Sequence, residues 1–179
     1  MTYEVDITAN MQCVDLDLMA LRRAVIQTLH IESVAEAVLS VSLVDNATIH
    51  EINLHHLQHD YPTDVISFQL DWTHPNSHTP GSGADGRSAD AHIEGEIVVS
   101  IEYGRAEAQR LGWELQSELT LYLVHGMLHI CGYDDLDPAE KQLMRAREAA
   151  VLSRLGLPKI PEHDDTESTA SHSGQEKHE

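Results

Sequence analysis

Two imidazoles and two carboxylates fall within eleven residues of this chain: His125, His129, Asp134 and Asp135, in a run that reads His125, Gly126, Met127, Leu128, His129, Ile130, Cys131, Gly132, Tyr133, Asp134, Asp135. On a helix, residues four apart lie one turn apart on the same face, so His125 and His129 could present two nitrogens to one ion. Gly132 is the residue type that stops helices and lets the chain double back. Either Asp134 or Asp135, on the returning segment, could then complete a His/His/carboxylate set with a position left open for water, as catalytic centres need.

Spacing alone does not make a metal site. Thirteen histidines in 179 residues are expected to give about one such pair by chance, and motif matches carry that risk. The chain has three, His55/His59, His74/His78 and His125/His129. Context separates them. His74 and His78 flank Pro75 in a turn-rich segment, and His55/His59 lies on a short helical run that ends towards Pro62. Only His125/His129 is embedded in a long amphipathic pattern.

That pattern predicts a helix from Glu114, with Leu115, Leu119, Leu123, Gly126 and Ile130 forming one core-facing stripe. His125 and His129 fall on the shoulder of the stripe, bordering the core yet able to reach a cleft. Glu118, two turns before His125, projects from the same shoulder and could orient a ligand or its water, or could be a plain exposed helix residue. After Gly132, Asp137, Pro138 and Glu140 form a new start signal of cap, first-turn proline and acid. Asp135 is therefore not needed as a cap.

The elements that must carry this helix follow from periodicity. Tyr3 to Ile7 alternates like an edge strand, and Asp15 can cap a helix through Leu18, Leu21, Val25, Ile26 and Leu29. Ala37 to Val44 is a strand, Asp45 caps a short helix through Ile49, Ile52 and Leu57, and Asp64 to Leu70 is a third strand. Glu94 to Ser100 is a fourth, followed by a helix to Leu111 with Gly112 at its stop. The last helix runs through Leu143, Met144, Val151 and Leu155. The expected fold is α+β, a small mixed sheet of about four strands packed with about five helices, with the metal site on a long helix ending in a glycine turn.

Composition sets the bounds. With 41% hydrophobic residues, 179 residues suit one domain, expected over 1–160. Residues 72–91, rich in Gly, Pro, Ser, His and Asp, read as a flexible loop, and 161–179 as a disordered acidic tail. Two cysteines give no disulfide framework, and neither a leader nor an apolar twenty-mer is visible, so a cytoplasmic protein without a membrane partner is expected. A net charge of −19 makes a generic binder of phosphate backbones a poor fit. Arg105, Arg110, Lys141, Arg145, Arg147, Arg154 and Lys159 all follow residue 100, where they form either a local basic patch or solvated helix faces.

The run from His125 to Asp135 resembles the signature of the YbeY family of metal-dependent endoribonucleases, bacterial ribosomal RNA maturation factors, which reads His-Gly-x-Leu-His-x-x-Gly-Tyr-Asp-His. Asn53, the stretch Asp60, Pro62, Thr63, Asp64, Val65, Ile66, Ser67, Phe68, the strand Glu94 to Ser100, and Glu118 resemble further family segments in order. The resemblance implies one ion, expected to be Zn2+, on His125, His129 and Asp135, with His125 also catalytic and Glu118 a further catalytic candidate. It implies a single-strand-specific endoribonuclease acting in ribosomal RNA maturation and small-subunit quality control, with ribosomal RNA and the small subunit as partners and no DNA.

Three departures stand out. Asp135 replaces the third histidine, which leaves a competent ligand but partly neutralises the ion. Leu57 and Ser117 stand where the family has arginines, and His56 or His59 is the nearest substitute in sequence for a phosphate partner. A metallopeptidase is a poor alternative, because its general base would follow the first histidine and Gly126 has no side chain to serve. A metal-stabilised ribosome-assembly factor without catalysis is the other alternative.

Overall fold

The structure, a computed structural model, describes residues 1–10, 16–74 and 87–157. Strand β1 (Thr2–Ala9) leads into α1 (Leu18–Ile31), β2 (Glu36–Val44), α2 (Asn46–Leu57), β3 (Val65–Thr73), β4 (His92–Ser100), α3 (Ile101–Leu111), α4 (Leu115–Ile130) and α5 (Pro138–Arg154). The four strands form one mixed sheet in the order β1-β2-β4-β3. β1, β2 and β4 run parallel, and β3 is antiparallel to β4. This is the expected α+β architecture, with β1 at an edge.

Alternation along β4 divides the core. Ile93, Ile97 and Val99 join the main cluster with α1 and α4, whereas Val98 turns to the opposite face, where Val44, Ile49 and Ile66 pack under α2. Period-two side-chain direction is sufficient to produce both layers. Most stops and starts follow local chemistry. The Asp45 and Asp137 carboxylates cap α2 and α5, and Gly112 ends α3 in the left-handed region at φ 72°. The cap of α1 is Asp17, whose carboxylate accepts from the Ala20 amide; Asp15 lies outside the described residues.

Helix α4 departs from the single-stripe expectation. Thr120, Leu121, Tyr122, Val124, Met127 and Leu128 are buried together with Leu119, Leu123, Gly126 and Ile130. It threads between the sheet, α1, α3 and α5, so nearly every face meets protein. A helix apolar all round is the buried kind. Two glycines allow its close approach to the sheet. A Cβ on Gly126 would meet Val65 Cγ2 at 3.2 Å and Ile97 Cγ2 at 3.3 Å, and one on Gly95 would lie 2.8 Å from Ile130 Cδ1 and 2.9 Å from the Phe68 carbonyl oxygen. Since that oxygen is backbone and cannot swing aside, Gly95→Ala is expected to cost about 1–3 kcal/mol, measured as a lower urea midpoint with an unchanged slope.

The expected loop over 72–91 is shorter at its first end and gives way to β4 at His92, where its expected range stops. Trp72 and Thr73 belong to β3, which continues past a register shift between Gln69 and Asp71. This half of the strand is exposed and shows no apolar alternation from which to read it. At the other end, Ser88 is fully buried, accepting from Trp72 Nε1 and donating to the Cys131 carbonyl. Residues 75–86 and the expected tail over 161–179 lie outside the described residues. Among the described residues no helix is long and apolar enough to cross a membrane.

Candidate metal centre

Helix α4 delivers His125 and His129 one turn apart, and the turn after it returns Asp135 to them. The two Nε2 atoms are 3.1 Å apart. Asp135 Oδ2 lies 3.8 Å from His125 Nε2, and Asp135 Oδ1 lies 3.9 Å from His129 Nε2. Among the described residues this is the one group of three or more His, Cys, Asp or Glu whose donor atoms gather within 4.8 Å. Two donors about 2.1 Å from a tetrahedral ion would be about 3.4 Å apart, so a slight opening of the two imidazoles and a small approach by Asp135 would bring all three to bonding distance.

The turn that returns Asp135 is held from several sides. Gly132 adopts φ 88°, and the Asp134 carboxylate accepts from the Asp135 and Leu136 amides. Asp134 is thereby turned to the backbone, leaving Asp135 as the carboxylate at the imidazoles. Arg87 donates to the Gly132 carbonyl, pairs with Glu140 and lies 4.8 Å over the Tyr133 ring.

Both imidazoles have their outer nitrogens occupied. His125 Nδ1 is 3.0 Å from Glu148 Oε2 on α5, and His129 Nδ1 donates to the Tyr133 carbonyl at 3.1 Å. Neutral rings donating through Nδ1 carry their lone pairs on Nε2, and those lone pairs point at each other. This donor chemistry fits a divalent cation.

Without a cation the same pair suits a proton. Burial works against charge on His125, but the Glu148 hydrogen bond and the carboxylates of Glu148, Asp64 and Asp135 outweigh it and raise its pKa above the ordinary 6.5. Burial and the charge on His125 push His129 down. An ion needs both lone pairs, so it must displace the shared proton. Cobalt affinity is therefore expected to rise as pH climbs past the ordinary imidazole pKa, with proton release seen by calorimetry in buffers of different ionisation enthalpy. His125's own contribution to the stability of the metal-free fold runs the other way, while the lowered pKa of His129 opposes it. The raised pKa contributes stability below the ordinary 6.5 that is lost as pH rises through the folded value.

Two sequence candidates fall outside the donor cluster. Glu118 is fully buried, neither exposed nor among the gathered donors, and its carboxylate accepts from Trp113 Nε1 at the start of α4. Beside it, burial and the Glu118 carboxylate raise the pKa of Tyr122. His59 is exposed after α2, its ring stacked on Tyr61 at 5.3 Å. His56 packs edge-on against Phe68, and Leu57 is 46% exposed. Asn53, matched to the family by its position, is buried and staples this turn, donating to the Tyr61 carbonyl and accepting from the His59 amide through its own carbonyl.

Sequence reasoning missed Glu148, 23 residues beyond His125. No helical or turn spacing links positions on two different helices, and the signal arises only when α5 packs on α4.

The family description "Endoribonuclease YbeY" matches residues 6–156 of this chain. The chain belongs to the YbeY family. Among curated relatives, Endoribonuclease YbeY of Desulfitobacterium hafniense is 38% identical over 138 residues, 76% of this chain and 84% of that protein. The YbeY protein of Rhodopirellula baltica is 35% identical over 167 residues, covering 92% of this chain and 77% of the relative. That of Carboxydothermus hydrogenoformans is 36% identical over 155 residues, or 85% and 97%. The solution structure of TM1509 from Thermotoga maritima superposes with a TM-score of 0.50 at 20% identity, covering 84% of this chain and 90% of that one, which supports the fold. The matched region runs from Asp6, within β1, to Gly156, just past α5, and so contains the donor cluster.

Proposed function

We propose that this YbeY-family protein is a metal-dependent endoribonuclease that hydrolyses single-stranded RNA, using one Zn2+ held by His125, His129 and Asp135. The observation that carries the metal reading is the pair of facing Nε2 atoms 3.1 Å apart, each backed by an acceptor on its Nδ1. The substrate class comes from the family, whose curated relatives are named endoribonucleases. Ribosomal RNA maturation and quality control of the small subunit, in the cytoplasm, are the roles this reading extends to.

A divalent ion at the centre supplies Lewis acidity for attack of water on a phosphodiester. The chain's own residues do the rest. His125 and His129 orient their lone pairs from a rigid buried helix, Asp135 closes the set from the turn, and Glu148 and the Tyr133 carbonyl hold the rings. For an ion to bind there, His125 would have to hold its Nε2 free of a proton while Nδ1 keeps its bond to Glu148. His59, exposed on the α2–β3 connection, is the proposed partner for a substrate phosphate in place of the family arginine at Leu57. Glu118 is assigned to the buried start of α4.

The test is cleavage of an unstructured labelled RNA by the purified protein, before and after chelation and re-addition of metal, beside His125→Ala. Cleavage should vanish with the chelator, return with the ion and be absent from the variant. Uncut RNA with a fully loaded wild-type protein would favour the second reading, a non-catalytic metal-stabilised ribosome-assembly factor. The exposed Leu57 and the net charge of −19 are what speak for that alternative.

A further inference from the structure

The two imidazoles are oriented by different kinds of group. His129 is held by a main-chain carbonyl that comes with the turn itself, whereas His125 depends on a side chain, Glu148, brought from α5. Glu148 is well placed to do this. Its side chain is 14% exposed, its Oε2 lies 3.0 Å from His125 Nδ1, and Asp135 lies on the opposite, Nε2 side of the same ring.

The rotation of α5 is fixed one residue earlier. Arg147 reaches α1, with Nε 2.6 Å from Oε1 of the fully buried Glu32 and a terminal nitrogen donating to the Ile31 carbonyl at 3.0 Å. Successive helix residues point about 100° apart, so the clamp that aims Arg147 at α1 aims Glu148 at α4. Tyr133, whose carbonyl holds His129, donates its hydroxyl to Oε2 of the same Glu32 at 3.2 Å. One buried carboxylate thus anchors the acceptors of both imidazoles.

We propose that Glu148 is the positioning residue of the metal centre: its carboxylate fixes His125 as the Nδ1–H tautomer, keeping the Nε2 lone pair on the side where the ion binds. The inference rests on the metal reading above for its consequence. The orienting step itself exists in the metal-free protein and can be measured there. Removal of a carboxylate behind a ligating histidine typically costs about 10–100-fold in metal affinity.

The experiment compares wild type, Glu148→Gln and Glu148→Ala in three measurements: cobalt titration followed by visible absorption, metal-free melting temperature, and the His125 tautomer by long-range proton–nitrogen NMR above its pKa. Glu148→Ala is expected to bind cobalt about 10–100-fold more weakly and to shift His125 towards Nε2–H. Glu148→Gln, which keeps an acceptor, should fall between and retain the tautomer. Equal cobalt affinity and an unchanged tautomer in all three would overturn the proposal. So would equal losses in Gln and Ala accompanied by a lowered metal-free melting temperature, which would mark a merely structural contact. Should wild type fail to bind cobalt, the metal reading fails, and the tautomer comparison still decides whether Glu148 sets the ring.

Discussion

Asp135→Ala is expected to weaken metal binding more than a hundredfold and to reduce RNA cleavage in parallel, with little change in the metal-free melting temperature. Donor count sets the size of the effect. His125 and His129 alone leave a two-ligand site, so the loss should exceed the roughly 10–100-fold typical of residues that only orient a ligand. The Asp135 side chain is 37% exposed, and the turn's own hydrogen bonds come from Asp134, which is why folding should hardly notice. Asp135→His supplies the complementary arm. It restores a third donor and removes one negative charge beside the ion, so affinity should survive while the rising limb of the pH–rate profile moves to lower pH. If both variants leave affinity and pH limb untouched, Asp135 is not a ligand.

Glu32→Ala is expected to cost about 3–5 kcal/mol of folding stability, the range for stripping one partner from a buried ion pair. Glu32 is fully buried at the C-terminal cap of α1, and the paired Arg147 side chain is only 18% exposed. The substitution leaves Arg147 without its carboxylate and the Tyr133 hydroxyl without its acceptor. Burial, first, and the Glu32 charge push the Tyr133 phenol up to about 12, so it remains a proton donor throughout the working range. Glu32→Gln, whose one acceptor oxygen can keep the Arg147 bond while its amide NH2 donates to the Tyr133 hydroxyl oxygen, should cost less. Urea unfolding of the metal-free proteins checks this, and an unchanged midpoint for Glu32→Ala would show that the pair is dispensable. A secondary loss of cobalt affinity is expected in the same variant, because both Nδ1 acceptors hang from this carboxylate.

The parts of the centre legible in sequence are those separated by a turn of helix or by one tight reversal. His125 and His129 are read from helical period, Gly132 from its role as a stop, and Asp135, rather than Asp134, only from the family resemblance, which has its third histidine there. The same local chemistry marks Asp45, Gly112 and Pro138 at helix ends. What was not legible depends on packing between elements distant in the chain. Glu148 and Glu32 are ordinary helix acids by pattern, and become an orienting group and an anchor only when α5 lies across α4 and α1. Helix α4 buries more of its surface than one stripe accounts for. Leu121, Val124, Met127 and Leu128 fall off the chosen stripe, but four neighbours bury them as well. Glu118 turned inward to Trp113 for the same reason, and the exposed second half of β3 carried no alternation to reveal Trp72 and Thr73 as strand.

The central claim is that one ion on His125, His129 and Asp135 drives RNA hydrolysis. It is tested most directly by adding cobalt stepwise to metal-free protein and following absorption and cleavage of an unstructured RNA in the same sample, for wild type and His129→Ala. The account predicts that cleavage starts from nothing, rises in proportion to the cobalt band and saturates at one ion per chain, while His129→Ala shows neither band nor cleavage. Full cleavage before any metal is added, or cleavage by His129→Ala that saturates like wild type, would contradict it.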